Sequence, residues 1–99
     1  MIRIDVRSGK GDLVASIASD PGFDPVLSGV DRKKYPILGH LDPYGDTVLN
    51  RLQVQSLLEE ISEVRSNPEI VSEEFADALV ALSRECLLRP HRFLRFVGE

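Results

Sequence analysis

The chain has no tryptophan, a single cysteine, a single methionine, and only four phenylalanines and two tyrosines. The lone Cys86 excludes an internal disulfide and cannot by itself hold zinc. Set in a helical apolar pattern, it reads as a small buried hydrophobe rather than a reactive thiol. No apolar run approaches the about 20 residues that span a bilayer. The opening "MIRIDVRSGK", charged at Arg3, Asp5 and Arg7, lacks the apolar core of a signal peptide. No membrane partner is therefore expected, and the expected compartment is the cytosol. An excess of basic charge is also missing: the net charge is −4, and "RKK" at 32–34 is too short for a phosphate-binding stretch, so no nucleic-acid partner is expected. A Gly-rich phosphate loop, HExxH and CxxC are absent, as are internal repeats and low-complexity tracts.

What is present is enough for one globular domain, residues 1–99, with 42% hydrophobic and 28% charged residues. Ile2, Ile4 and Val6 alternate with Arg3, Asp5 and Arg7, "SGKGD" supplies a glycine-bearing reversal, and Leu13, Ala15 and Ile17 alternate again. Residues 2–18 read as a β-hairpin. Residues 19–36, with three prolines and two glycines, read as a long loop laid over the core, and "ILGHL" at 37–41 as a short strand. Asn50 with Gln53 forms a capping-box pair, Leu49 and Val54 are spaced for a hydrophobic staple, and Val54, Leu57, Leu58, Ile61 and Val64 trace a helical stripe ended by Asn67-Pro68. Ser72 caps a second helix carrying Phe75, Leu79, Leu82 and Cys86, which Arg89-Pro90 stops. In the closing "HRFLRFVGE", Phe93 and Val97 share one face and Leu94 and Phe96 the other. A strand apolar on both sides calls for cover on both: the helix pair on one, the 19–36 loop or a second protein on the other.

The expected fold is α+β: a small, mainly antiparallel sheet of the hairpin and the C-terminal strand, with an antiparallel helix pair on one face. The last strand, being the most apolar, is expected at the centre. From this element order it would run parallel to the first strand and antiparallel to the second.

The most distinctive stretch is "HLDPYGDTVLNRLQ", residues 40–53. His40, Asp42 and Asp46 are metal-capable types, but their spacing matches no loop of defined coordination geometry, so no metal or cofactor is expected. Asp-Pro-Tyr-Gly has the composition of a β-turn, and Asp46 and Thr47 can bond local amides on the way to the Asn50 cap. Tyr44 is either folded onto the sheet edge or held out at a rigid corner as a contact residue. Arg51, in the first helical turn, opposes the helix dipole and calls for a partner, either Asp46 or something outside the chain. Elsewhere the middle of the chain is acidic: Glu59, Glu60, Glu63, Glu69, Glu73, Glu74 and Asp77 face Arg65 alone between residues 55 and 83. That stretch is either a solvated face or a patch that docks a basic partner.

Two segments, "DPYGDTVLNRLQ" at 42–53 and "HRFLRFVGE" at 91–99, resemble a group of small bacterial proteins of uncharacterised function. A phenylalanine often stands in that group where this chain has Leu49. The resemblance covers about a third of the chain and implies a bacterial origin and a stand-alone module, with no activity attached.

No catalytic set emerges: Cys86 has no histidine near it in sequence, and adjacent carboxylates on a helix diverge. The expectation is a non-enzymatic module that binds a protein partner or its own copy. Its candidate contacts are Asp42, Tyr44, Asp46, Arg51, Glu59, Glu63, Glu73 and Asp77, and an immunity- or antitoxin-like use of the acidic helix face is one form of it. The alternative is a small metal- or ligand-dependent enzyme centred on the 40–46 turn.

Overall fold

The computed structural model describes residues 2–98; Glu99, the last residue of the closing segment, lies outside them. The alternation at the N-terminus forms β1 (Arg3–Ser8) and β2 (Leu13–Ala18), paired antiparallel with Ile4 opposite Ile17 and Asp5 opposite Ser16. Gly11 carries the reversal at φ +88°, where a side chain would be strained. A register shift follows Val6, so β2 carries an irregularity near the turn.

The remaining elements are β3 (Asp46–Leu49), α1 (Arg51–Val64), α2 (Glu73–Leu87) and β4 (Arg92–Val97). The strands form one sheet in the order β2-β1-β4-β3, antiparallel throughout. β4 is central, as its apolar content requires. Leu94 and Phe96 face the helices together with Ile4, Val6 and Leu49, and all five are buried.

Two sequence expectations fail here for one reason. "ILGHL" is a single 3₁₀ turn, Leu38–His40, and the fourth strand is Asp46–Leu49, where the expectation was a turn running straight into a cap. The overlooked strand adds one more reversal of the chain. β4 therefore runs antiparallel to β1 and not parallel to it.

The helices form where their caps and stripes place them. Asn50 Oδ1 accepts from the Gln53 amide and Gln53 Oε1 from the Asn50 amide, both at 2.9 Å, a reciprocal box of which the cap alone contributes about 1 kcal/mol. Ser72 Oγ accepts from the Phe75 amide at 3.1 Å. Val54, Leu57, Ile61 and Val64 of α1 and Phe75, Leu79, Leu82 and Cys86 of α2 close over the sheet. Arg92 donates to the Glu85 carbonyl at 2.8 Å and to its carboxylate at 3.2 Å, tying the last turn of α2 to β4. Among the described residues no helix is long and apolar enough to cross a membrane.

The 19–36 loop lies over the helix layer and leaves the far side of the sheet open. Phe23 packs edge-on against Phe75 with ring centres 4.9 Å apart, Asp20 Oδ2 accepts from the Ser72 amide, and Ser28 Oγ donates to the Glu69 carbonyl. On the open side Leu13 is 55% and Val48 54% exposed, with Phe93 and Val97 half-buried. Asp5 is fully buried there beneath charged arms. It accepts from Ser16 Oγ at 2.7 Å, Arg3 Nε at 3.1 Å and Arg7 Nη2 at 3.2 Å.

Candidate functional site

The turn at 42–46 is fixed from several directions. Asp42 Oδ1 accepts from the Tyr44 amide at 2.9 Å, an Asx turn closed by the Gly45 amide on the Asp42 carbonyl at 3.4 Å. Asp46, opening β3, pairs across the sheet with Arg95 of β4. The far end of β4 then locks the turn. The Gly98 amide donates to the Gly45 carbonyl at 2.8 Å, and a Cβ on Gly98 would fall 2.5 Å from the Pro43 carbonyl oxygen. A Cβ on Gly45 would meet the Asp42 carboxylate at 2.5 Å. Gly98 is thus required by its close approach to backbone, whereas a side chain at Gly45 would have only the Asp42 carboxylate to displace, and the two distinctive sequence segments are two halves of one corner.

What this corner holds up is Tyr44, 82% exposed. The ring stands in solvent and is not folded onto the sheet edge. Beside it stands Leu27 of the long loop, 84% exposed. The two flank an open groove of about 640 Å³ whose apolar wall also includes Val26, Leu41 and Pro43. Leu27 carries little signal in the sequence, because the path of its loop is set by long-range contacts with the helices.

The polar groups of the groove are Asp24, Arg32, His40 and Asp42. Asp24 accepts from the Leu27 amide at 3.1 Å, as Asp42 does from that of Tyr44, so each carboxylate shapes its own loop. His40 Nδ1 lies 2.7 Å from the Pro36 carbonyl oxygen, which can only accept, so Nδ1 carries the proton. Arg32 Nε donates to the Gly39 carbonyl at 2.9 Å, and the arginine stem lies where a Gly39 Cβ would be, 2.8 Å from Arg32 Cα and Cγ.

His40, Asp42 and Asp46 therefore turn to three different partners: Pro36, Tyr44 and Arg95. Among the described residues, no group of three or more His, Cys, Asp or Glu side chains is placed to hold a metal ion. Arg51 is exposed, and Asp46, one of the two partners expected for it, pairs with Arg95 instead.

On the helix face, Glu59, Glu63, Glu73 and Asp77 are all exposed. Glu63 stands 3.9 Å from Lys34 and Asp77 pairs with Arg65, which neutralises part of the patch. Glu60 behaves differently. It is buried, and its two oxygens accept from the Ile37 amide at 3.0 Å and the Leu38 amide at 2.9 Å, tying the long loop to α1. Burial raises its pKa above the usual carboxylate value, against the opposing effect of those amides. The sequence did carry this signal: Glu60 lies three residues after Leu57 and four before Val64, on the apolar stripe. Cys86 is buried in α2, and burial raises the pKa of its thiol, the setting of a structural cysteine.

No protein-family model, curated protein or solved structure matches this chain. The function must be read from the surface itself.

Proposed function

We propose that this chain is a protein-binding module whose contact centre is Tyr44 with Leu27. The observation that carries the reading is an aromatic ring and a leucine, each more than four-fifths exposed, one of them on a turn held by an Asx bond, a cross-strand ion pair and a glycine packed on backbone. Burying a side chain of this size is worth about 1.5–3 kcal/mol, a gain the fold leaves unused at both positions. A rigid, desolvatable aromatic is the usual centre of an interface, because little entropy is lost when it is covered. The acidic helix face, with Glu63 and Asp77 engaged by Lys34 and Arg65, supports a partner contact less well.

The test is site-specific photo-crosslinking in the native host, with the photoreactive residue at position 44, at 27, and at 59 on the acidic face. A discrete adduct with one protein from positions 44 and 27 is expected. An adduct from 59 alone moves the site to the helices, and none from any position refutes the module reading.

Self-association is a second reading, favoured by β2. This sheet edge is six residues long and carries no charged side chain, whereas the opposite edge, β3, is four residues long and opens with Asp46. Long uncharged edges template pairing with another strand. Sedimentation should then show a concentration-dependent dimer that Val14→Lys disrupts; a monomer at every concentration removes this reading.

A further inference from the structure

A groove of about 550 Å³ lies at the opposite end of β4 from the Tyr44 corner, between the hairpin turn and the α2–β4 connection. We infer that it binds a phosphomonoester, whose dianionic head is held by Lys10, Arg89 and Arg92, independently of the Tyr44–Leu27 contact. These three cations line the groove beside His91, and Asp12 is the one carboxylate among the lining residues. Even with Glu85 counted against Arg92, the groove is positive in a chain whose net charge is −4. Lys10 and Arg89 are exposed and, among the described residues, in no ion pair. Both bonds from Arg92 to Glu85 leave from Nη1, so α2 orients this guanidinium while Nε and Nη2 keep their donors. The turns that carry the cations are themselves fixed. Arg7 Nη1 donates to the Gly11 carbonyl at 3.0 Å, and the Asp12 amide donates to Ser8 Oγ at 3.2 Å. His91 stands at φ +62°, uncommon outside glycine, and a Cβ on Gly9 would fall 3.1 Å from its carbonyl oxygen, so the two turns pack on each other. A carboxylate is matched by one guanidinium, whereas three cations around one groove match the two charges and three oxygens of a phosphomonoester. Val14 and Pro90 on the same wall offer the organic body of the ester an apolar surface.

The experiment is an amide-resolved NMR titration of the full chain with phenyl phosphate, and with phenyl sulfate as its singly charged isostere, at a pH of about 7.5 where the phosphate carries close to two charges. Phenyl phosphate should perturb the amides of Gly9, Lys10, His91 and Arg92, with a dissociation constant on the order of millimolar for so small a ligand. Phenyl sulfate should bind about fivefold more weakly. Lys10→Gln and Arg89→Gln, both at exposed turn positions, should each weaken phenyl phosphate about threefold, and Asp12→Asn, which removes the opposing charge, should tighten it about twofold. Lys33→Gln, which removes the same charge on a different loop, should leave it unchanged. Cosedimentation with phosphatidylcholine vesicles containing phosphatidic acid separates two sources of the group: a bound fraction upholds the site with the ester on a lipid, and none upholds it with the ester on a soluble molecule. Equal binding of phenyl phosphate and phenyl sulfate overturns the inference, as does affinity indifferent to Lys10 and Arg89. Perturbation elsewhere, or none, overturns it as well.

Discussion

Asp5 on the open side of the sheet and Glu60 on α1 are both buried carboxylates, and the molecule handles them in opposite ways. Burial works to raise the pKa of Asp5, but the hydroxyl of Ser16 and the guanidinium groups of Arg3 and Arg7 outweigh it and hold the group below its usual value. Glu60 has backbone amides for partners and, among the described residues, no cation in ion-pair contact, so burial prevails and its pKa rises. Two amide bonds satisfy the lone pairs of a carboxylate without neutralising its charge, whereas arginine does both. Asp5 accordingly ties strand to strand as an ion that outlasts a free carboxylate on acidification, and Glu60 ties loop to helix as a group that takes up a proton more readily than one.

The sharpest way to break this comparison is to remove each side chain. Asp5→Ala leaves Arg3 and Arg7 crowded over an empty centre and should cost about 3 kcal/mol, at the low end for a broken buried pair because Arg3 reaches water. Urea unfolding measures this, and a loss below about 1 kcal/mol would mean that the arginines simply turn to solvent. Glu60→Ala leaves the Ile37 and Leu38 amides without their acceptor and should cost about 2 kcal/mol. Hydrogen exchange should then show faster opening at 37–41 than in the sheet, and uniform acceleration would refute a local role.

The pH dependence separates the pair further. Because the folded pKa of Asp5 lies below 3.8, its contribution is complete above that value and disappears as pH falls through the folded pKa. Glu60 has a folded pKa above 4.5, so the native state holds the extra proton, and its contribution is present below 4.5 and disappears as pH rises through the folded pKa. Stability curves should therefore lose their acid limb in Asp5→Asn and their decline above pH 4.5 in Glu60→Gln. Slopes that respond the other way round would invert the assignment.

The smallest effect belongs to the corner. Tyr44→Ala should change stability by less than about 0.5 kcal/mol, as expected for an exposed residue away from any cap or core. Gly98→Ala, forced against Pro43, should cost about 1–2 kcal/mol. If Tyr44→Ala proves the more damaging of the two, the ring is packed in solution and is not a contact residue.

Much of this fold is legible residue by residue. The alternation of Ile2, Ile4 and Val6 yields the hairpin, and the Asn50–Gln53 box and Ser72 cap place both helices within a residue or two. β3 was not legible because "DTVL" is too short to show a period and runs directly into a helix cap, so only its pairing with β4 makes it a strand. That one omission reversed the expected direction of the last strand. In the site, Asp42 and Tyr44 were readable from turn chemistry, whereas Leu27 and Arg32 come from a loop whose course depends on Phe23 meeting Phe75 and Glu60 holding Ile37. Local preference decides elements; distant side chains decide loops.

The seat of Gly98 against Pro43 and Gly45 has a consequence for biosynthesis. The corner that displays Tyr44 is completed by β4 and the glycine that follows it, the last part of the described chain to leave the ribosome. Until that segment is in place, the turn lacks both the Arg95 pair and the Gly98 hydrogen bond that hold it. Cutting the chain before Gly98 therefore loosens the turn beneath Tyr44 as well as the sheet edge.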